Sequence, residues 1–124
     1  MEKMQNMVGK TVTHIDMGDY ELMISCDDGS RYHFYHVQDC CESVNLVDSL
    51  GDPKSLVGYK LIMVDHEETG ERPSEIDMDW DDPYDSWTIT KLKFVTDKDT
   101  VIVRWIGESN GYYSERVDLR EIVK

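Results

Sequence analysis

The sequence predicts a mainly β protein: a single antiparallel curved sheet, barrel or sandwich of seven or eight short strands, with one or two short helical turns. Three observations carry this expectation. Apolar and polar residues alternate over short runs, the period of a half-buried strand. Tight-turn signals separate the runs, among them Asp27-Asp28-Gly29, Asp97-Lys98-Asp99 and Asn110-Gly111. No long helical periodicity is present, so the helices that parallel crossover units require are missing.

Taken in order, 1–8 reads as a leader without a clear period, and 10–17 as a first strand rich in Val, Thr and Ile. Met17, Gly18 and Asp19 make a turn. In 20–26, Tyr20, Leu22, Ile24 and Cys26 share one face. After the Asp27–Gly29 turn, 30–37 returns with Tyr32, Phe34 and His36 on one side and Arg31, His33 and Tyr35 on the other. The stretch 43–47 is a short strand. Within 48–57, Asp52 suits the cap and Pro53 the first position of a single helical turn. A strand is expected over 58–66 and an exposed acidic loop over 67–84. In 85–96, Trp87, Ile89, Leu92 and Phe94 are the core candidates. Thr100 to Gly107 alternates most clearly. The Asn110-Gly111 turn then predicts a return strand over 113–118 beside it, and 119–124 a closing helical turn.

A chain of 124 residues suits one domain with one core, and 1–124 is read as a single domain. Twelve aromatic residues and 40% hydrophobic content describe a folding chain rather than a disordered one. No apolar run approaches the roughly 20 residues of a membrane span, and the N-terminus lacks the apolar core of a signal peptide; a cytoplasmic protein is expected. Three cysteines, Cys26, Cys40 and Cys41, do not make a disulfide framework.

Net charge is −13, which disfavours direct contact with nucleic acid or acidic membranes. The charge is segregated. Residues 65–86 hold ten acids and one base, whereas the rest of the chain carries a net of only −4.

Three stretches hold candidate chemistry. The first is 36–44, with His36, Gln38, Asp39, Cys40, Cys41, Glu42 and Ser43 at the expected end of a strand. His36 with a neighbouring thiol offers zinc ligands, but no C-x-x-C pair and no second ligand pair accompany them, and no metal is expected. Asp39 and Glu42 beside the thiols oppose the thiolate that a cysteine nucleophile needs. The stretch reads instead as a turn, with His36, Gln38, Asp39 and Glu42 facing a pocket and the cysteines as small buried groups.

The second stretch surrounds Asn110-Gly111. Arg104, Trp105, Glu108, Asn110, Tyr112 and Tyr113 combine stacking faces with an anion-binding fork and could line a pocket for a planar ligand. The alternative is a hairpin with tyrosines packed across it. The third is the acidic segment, with Asp77, Asp79, Trp80, Asp81, Asp82 and Tyr84. It fails as a calcium loop, because the sixth and twelfth positions from Asp77 are Asp82 and Thr88. As a solvated loop it keeps the protein soluble; as a docking element, its charge suits a basic cleft and Trp80 and Tyr84 serve as anchors. No nucleotide-binding glycine loop, zinc-protease helix or serine-hydrolase elbow is present.

The run from His36 to Val44, Gly51-Asp52, Leu56-Val57-Gly58, and the run from Trp105 through Gly107, Glu108, Ser109, Asn110, Gly111, Tyr112, Tyr113 and Ser114 to Glu115 resemble a family of small acidic proteins encoded widely in bacteriophages and prophage regions, a domain without assigned function. The resemblance covers about 9–123 and leaves the acidic segment 65–86 outside its pattern. It implies a phage accessory protein acting in the bacterial host's cytoplasm, of a kind that often counters host defence. The expected role is therefore a non-enzymatic, cofactor-free binding protein, a homo-oligomer that sequesters a small nucleotide-like immune signal. The alternative is an inhibitor whose acidic segment docks on the basic, nucleic-acid-binding cleft of a host defence enzyme.

Overall fold

The computed structural model describes residues 2–37, 43–69, 86–109 and 116–122. Among them are eight strands and two 3-10 turns, Glu2–Met7 and Pro53–Leu56. The strands are β1 (Val12–Met17), β2 (Glu21–Cys26), β3 (Arg31–Tyr35), β4 (Ser43–Leu50), β5 (Leu61–Thr69), β6 (Ser86–Thr96), β7 (Thr100–Ser109) and β8 (Asp118–Ile122). They form two antiparallel sheets, ordered β1-β2-β3-β8 and β4-β7-β6-β5, which do not close into a barrel. No helix among the described residues is long and apolar enough to cross a membrane.

Alternation explains the strands. Leu22, Ile24 and Cys26 of β2, Tyr32 and Phe34 of β3, Leu92 and Phe94 of β6, and Val101, Val103 and Trp105 of β7 all turn into one buried cluster shared by both sheets. Phe34 meets Phe94 edge-on, with ring centroids 5.9 Å apart, so the sheets pack face to face. Asp52 caps the Pro53–Leu56 turn as expected, its carboxylate accepting from the Lys54 amide at 3.0 Å.

Several local expectations change. The N-terminal residues fold as a 3-10 turn whose Met4 and Met7 are fully buried. Gln5 Nε2 donates to the Val64 carbonyl and the Gly9 amide to the Leu61 carbonyl, so this segment covers the free edge of β5. Tyr20 lies just outside β2 and is exposed. β4 runs on to Leu50 and β5 to Thr69, so the first acids of the acidic segment, through Glu68, belong to a strand. The Trp87 side chain lies outside the description.

The largest correction concerns the end of the chain. Residues 119–122 form a strand rather than a helical turn, and β8 pairs with β3 in the other sheet, not with β7. β7 has no vacant edge for a return strand, because Glu108 already faces Ser43 on β4 and Trp87 on β6.

Candidate functional site

β3, β5 and β7 end, and β4, β6 and β8 begin, at the same end of the molecule. The register carries this: Tyr35 faces Asp118, Ser43 faces Glu108, Ser86 faces Ser109 and Thr69 faces Ile89. Glu68 of β5 and Arg116, just before β8, approach to 4.0 Å across the gap between the two sheets, an exposed pair that adds little to stability. His36 follows β3 directly, and because a carbonyl oxygen only accepts, its Nδ1–H donates to the Arg116 carbonyl at 2.7 Å.

Between the sheets at this end lies a cavity of about 450 Å³, lined by Lys3, His66, Glu68, Arg116, Val117, Asp118 and Leu119. The volume is within the range of small-molecule sites, roughly 300–1,000 Å³. Three nitrogen groups, from Lys3, His66 and Arg116, meet two carboxylates in a chain that is otherwise strongly acidic. His66 and Glu68 reach it from the inner face of β5, where they oppose Leu92 and Thr90. Along the same cross-strand row as Glu68, Thr90 and its next neighbour Trp105 are buried, and neither Thr90 Oγ1 nor Trp105 Nε1 has a hydrogen-bond partner among the described residues.

Of the residues singled out from the sequence, His36 therefore stands beside the cavity wall. Arg104, Trp105 and Glu108 do not gather with it into one pocket. Trp105 is fully buried in the core, whereas Arg104 and Glu108 sit on the opposite, outer face of β7, because consecutive strand residues point to opposite sides. Arg104 is held there by Asp48, Nε to Oδ1 at 3.0 Å and Nη2 to Oδ2 at 2.6 Å. Gln38, Asp39, Cys40, Cys41, Glu42, Asn110, Tyr112 and Tyr113 lie outside the described residues, as do Asp77, Asp79, Trp80, Asp81, Asp82 and Tyr84. Cys26 is a buried free thiol, pushed up in pKa by that burial. Among the described residues no cluster of three or more His, Cys, Asp or Glu is placed to hold a metal ion.

Sequence reading missed Lys3, His66, Glu68 and Asp118 as cavity residues. It also missed a charged network on the first sheet. Lys10 Nζ reaches the Tyr32 hydroxyl at 2.8 Å, Ser30 Oγ at 3.0 Å and Asp28 Oδ2 at 2.9 Å. Asn6 Nδ2 donates to Glu121 at 3.1 Å, and the neighbouring Tyr32 hydroxyl holds the Glu121 carboxyl below its ordinary value. The Tyr32 contact, with Asp28 behind it, holds Lys10 above the lysine range; Ser30 and Lys10 hold Asp28 well below the carboxylate range. This network joins the N-terminal turn, the β2–β3 hairpin and β8.

The chain belongs to the family described as a domain of unknown function, DUF7448, whose family model matches residues 5–119. Neither the curated proteins nor the solved structures contain a significant match to it.

Proposed function

We infer that the protein binds a small nucleotide-like anion in the cavity beside His36 and holds it without turnover. The observation that carries this reading is the convergence of Lys3, His66 and Arg116 on one cavity of about 450 Å³ in a chain of net charge −13. An anionic ligand is repelled by most of this molecule, so a place where nitrogen donors gather is where it can bind. Guanidinium and ammonium groups suit phosphate oxygens, and Glu68 and Asp118 suit ribose hydroxyls or base N–H groups. The described lining supplies charge and hydrogen bonds, with no Ser, Thr or Cys nucleophile beside a base. The resemblance to phage-encoded proteins adds the context: the ligand is an immune signal of the host, and sequestering it is the counter-defence.

The test is thermal shift and calorimetry with a panel of cyclic dinucleotides and cyclic ADP-ribose isomers. At least one should raise the melting temperature, and Arg116→Gln with Lys3→Gln should remove that rise while leaving the unliganded melt nearly unchanged. No stabilisation by any member of the panel sinks the reading.

A second reading rests on the segregated charge, ten acids against one base in 65–86. The acidic segment then docks on the basic cleft of a host defence enzyme, and the cavity is incidental. Replacing Asp77, Asp79, Asp81 and Asp82 by Asn should abolish capture of that enzyme; unchanged capture discards it.

A further inference from the structure

The outer face of the second sheet carries a separate concavity of about 290 Å³, lined by Asp48, Leu50, Lys91, Ile102 and Arg104. A break in strand regularity builds it. Val44 and Leu46 of β4 are buried on the inner face, opposite Gly107 and Trp105. Strict alternation sends Asp48 and Leu50 inward as well. The register instead shifts between Leu46 and Asp48, leaving Val47 as an extra residue, so Asp48 faces Arg104 and Leu50 faces Ile102 on the outside. Bulges re-aim side chains in this way, and they are enriched beside functional sites.

The re-aimed Asp48 grips the Arg104 guanidinium with two hydrogen bonds. Across the next ladder Arg104 stands directly opposite Lys91, two cations side by side on one sheet face, an arrangement that costs stability unless an anion offsets it. Asp48 answers Arg104. Glu67 is the cross-strand neighbour of Lys91, yet no ion pair joins Lys91 to it or to any other described residue. The walls beside this ammonium are the exposed Leu50 and the half-buried Ile102.

We propose that this concavity is a second binding site, for a small organic carboxylate whose charged group sits on Lys91 beside Arg104 and whose apolar part lies on Leu50 and Ile102. One ammonium without an ion pair, next to a guanidinium already gripped by Asp48, matches a monoanion. A phosphate dianion meets the same donors with twice the repulsion from the surrounding acidic surface. The site does not depend on the cavity beside His36, which lies between the sheets.

The experiment is an NMR titration of the full chain with 4-phenylbutyrate, with neutral 4-phenylbutanol and with phenyl phosphate. The carboxylate should shift the amide resonances of Lys91, Ile102 and Arg104 and bind about tenfold more tightly than the alcohol, a ratio of roughly 1.4 kcal/mol. Lys91→Met should erase that ratio and Lys91→Arg should keep it. The proposal is overturned by equal binding of the alcohol, by tighter binding of phenyl phosphate, by an unchanged ratio in Lys91→Met, by shifts confined to His66 and Val117, or by no shifts at millimolar ligand.

Discussion

Lys10 Nζ donates to the Tyr32 hydroxyl at 2.8 Å, joining the approach to β1 to the start of β3. The same ammonium lies 5.2 Å from the Tyr32 ring centroid and pairs with Asp28 at 2.9 Å. Folding thus raises the Lys10 pKa, chiefly through Tyr32, and burial raises that of Tyr32. Groups with a raised folded-state pKa stabilise fully below their unfolded values and lose that contribution as pH rises through the folded ones. Asp28 and Glu121 are depressed, chiefly by the hydrogen bonds from Ser30 and Tyr32 respectively, so their contribution is present above ordinary carboxylate values and fades as pH falls. Urea midpoints should therefore drop above about pH 10 and below about pH 4. Lys10→Met should flatten the alkaline limb and Asp28→Asn the acid limb. Parallel curves for wild type and both variants would remove this account.

Met4 and Met7 are fully buried although they sit in a polar N-terminal stretch. Each should behave as a core residue: Met4→Ala or Met7→Ala should cost about 2–5 kcal/mol in urea unfolding. A loss below about 0.5 kcal/mol, the scale of an ordinary surface change, would mean that the N-terminal turn does not seal the core.

How much of this could be read from residues alone depends on whether the controlling contact is local. Leu22, Ile24 and Cys26, or Val101, Val103 and Trp105, announce their strands because period-two alternation is a local property. The pairing of β8 with β3 is not: Phe34 faces Leu119 across 85 positions of chain, and nothing beside either residue encodes it. The spacing of Met4 and Met7 is one 3-10 turn, too short to register as periodic. The cavity was hidden for the same reason as β8, since Lys3, His66 and Arg116 come from three distant parts of the chain. One separation was legible. Arg104 and Trp105 are consecutive in a strand, and that alone puts them on opposite faces.

Gly51 follows β4 with φ at +87°, and a Cβ added there would come to 3.0 Å from the Thr100 carbonyl oxygen. Backbone strain and a rigid neighbour act together. Gly51→Ala should cost roughly 1–3 kcal/mol, read as a lower urea midpoint at unchanged slope. Gly9 also has positive φ, but nothing lies within 4 Å of its added Cβ, so Gly9→Ala should cost less. Equal losses would show that the Thr100 contact contributes nothing.

Val47 is the residue that the β4–β7 register skips. Deleting it should leave every cross-strand partner of β4 in place: Leu46 stays opposite Trp105, and Asp48 becomes its immediate neighbour while still facing Arg104. The variant also loses an exposed apolar side chain. The expected cost is about 1 kcal/mol, a typical single-site value, against about 2–5 kcal/mol for Leu46→Ala in the core. Cross-strand NMR contacts between Asp48 and Arg104 should survive the deletion. If deleting Val47 costs more than Leu46→Ala, or if those contacts vanish, the bend made by the extra residue is itself required for β4 to lie against β7, and the bulge does more than set which face Asp48 and Leu50 occupy.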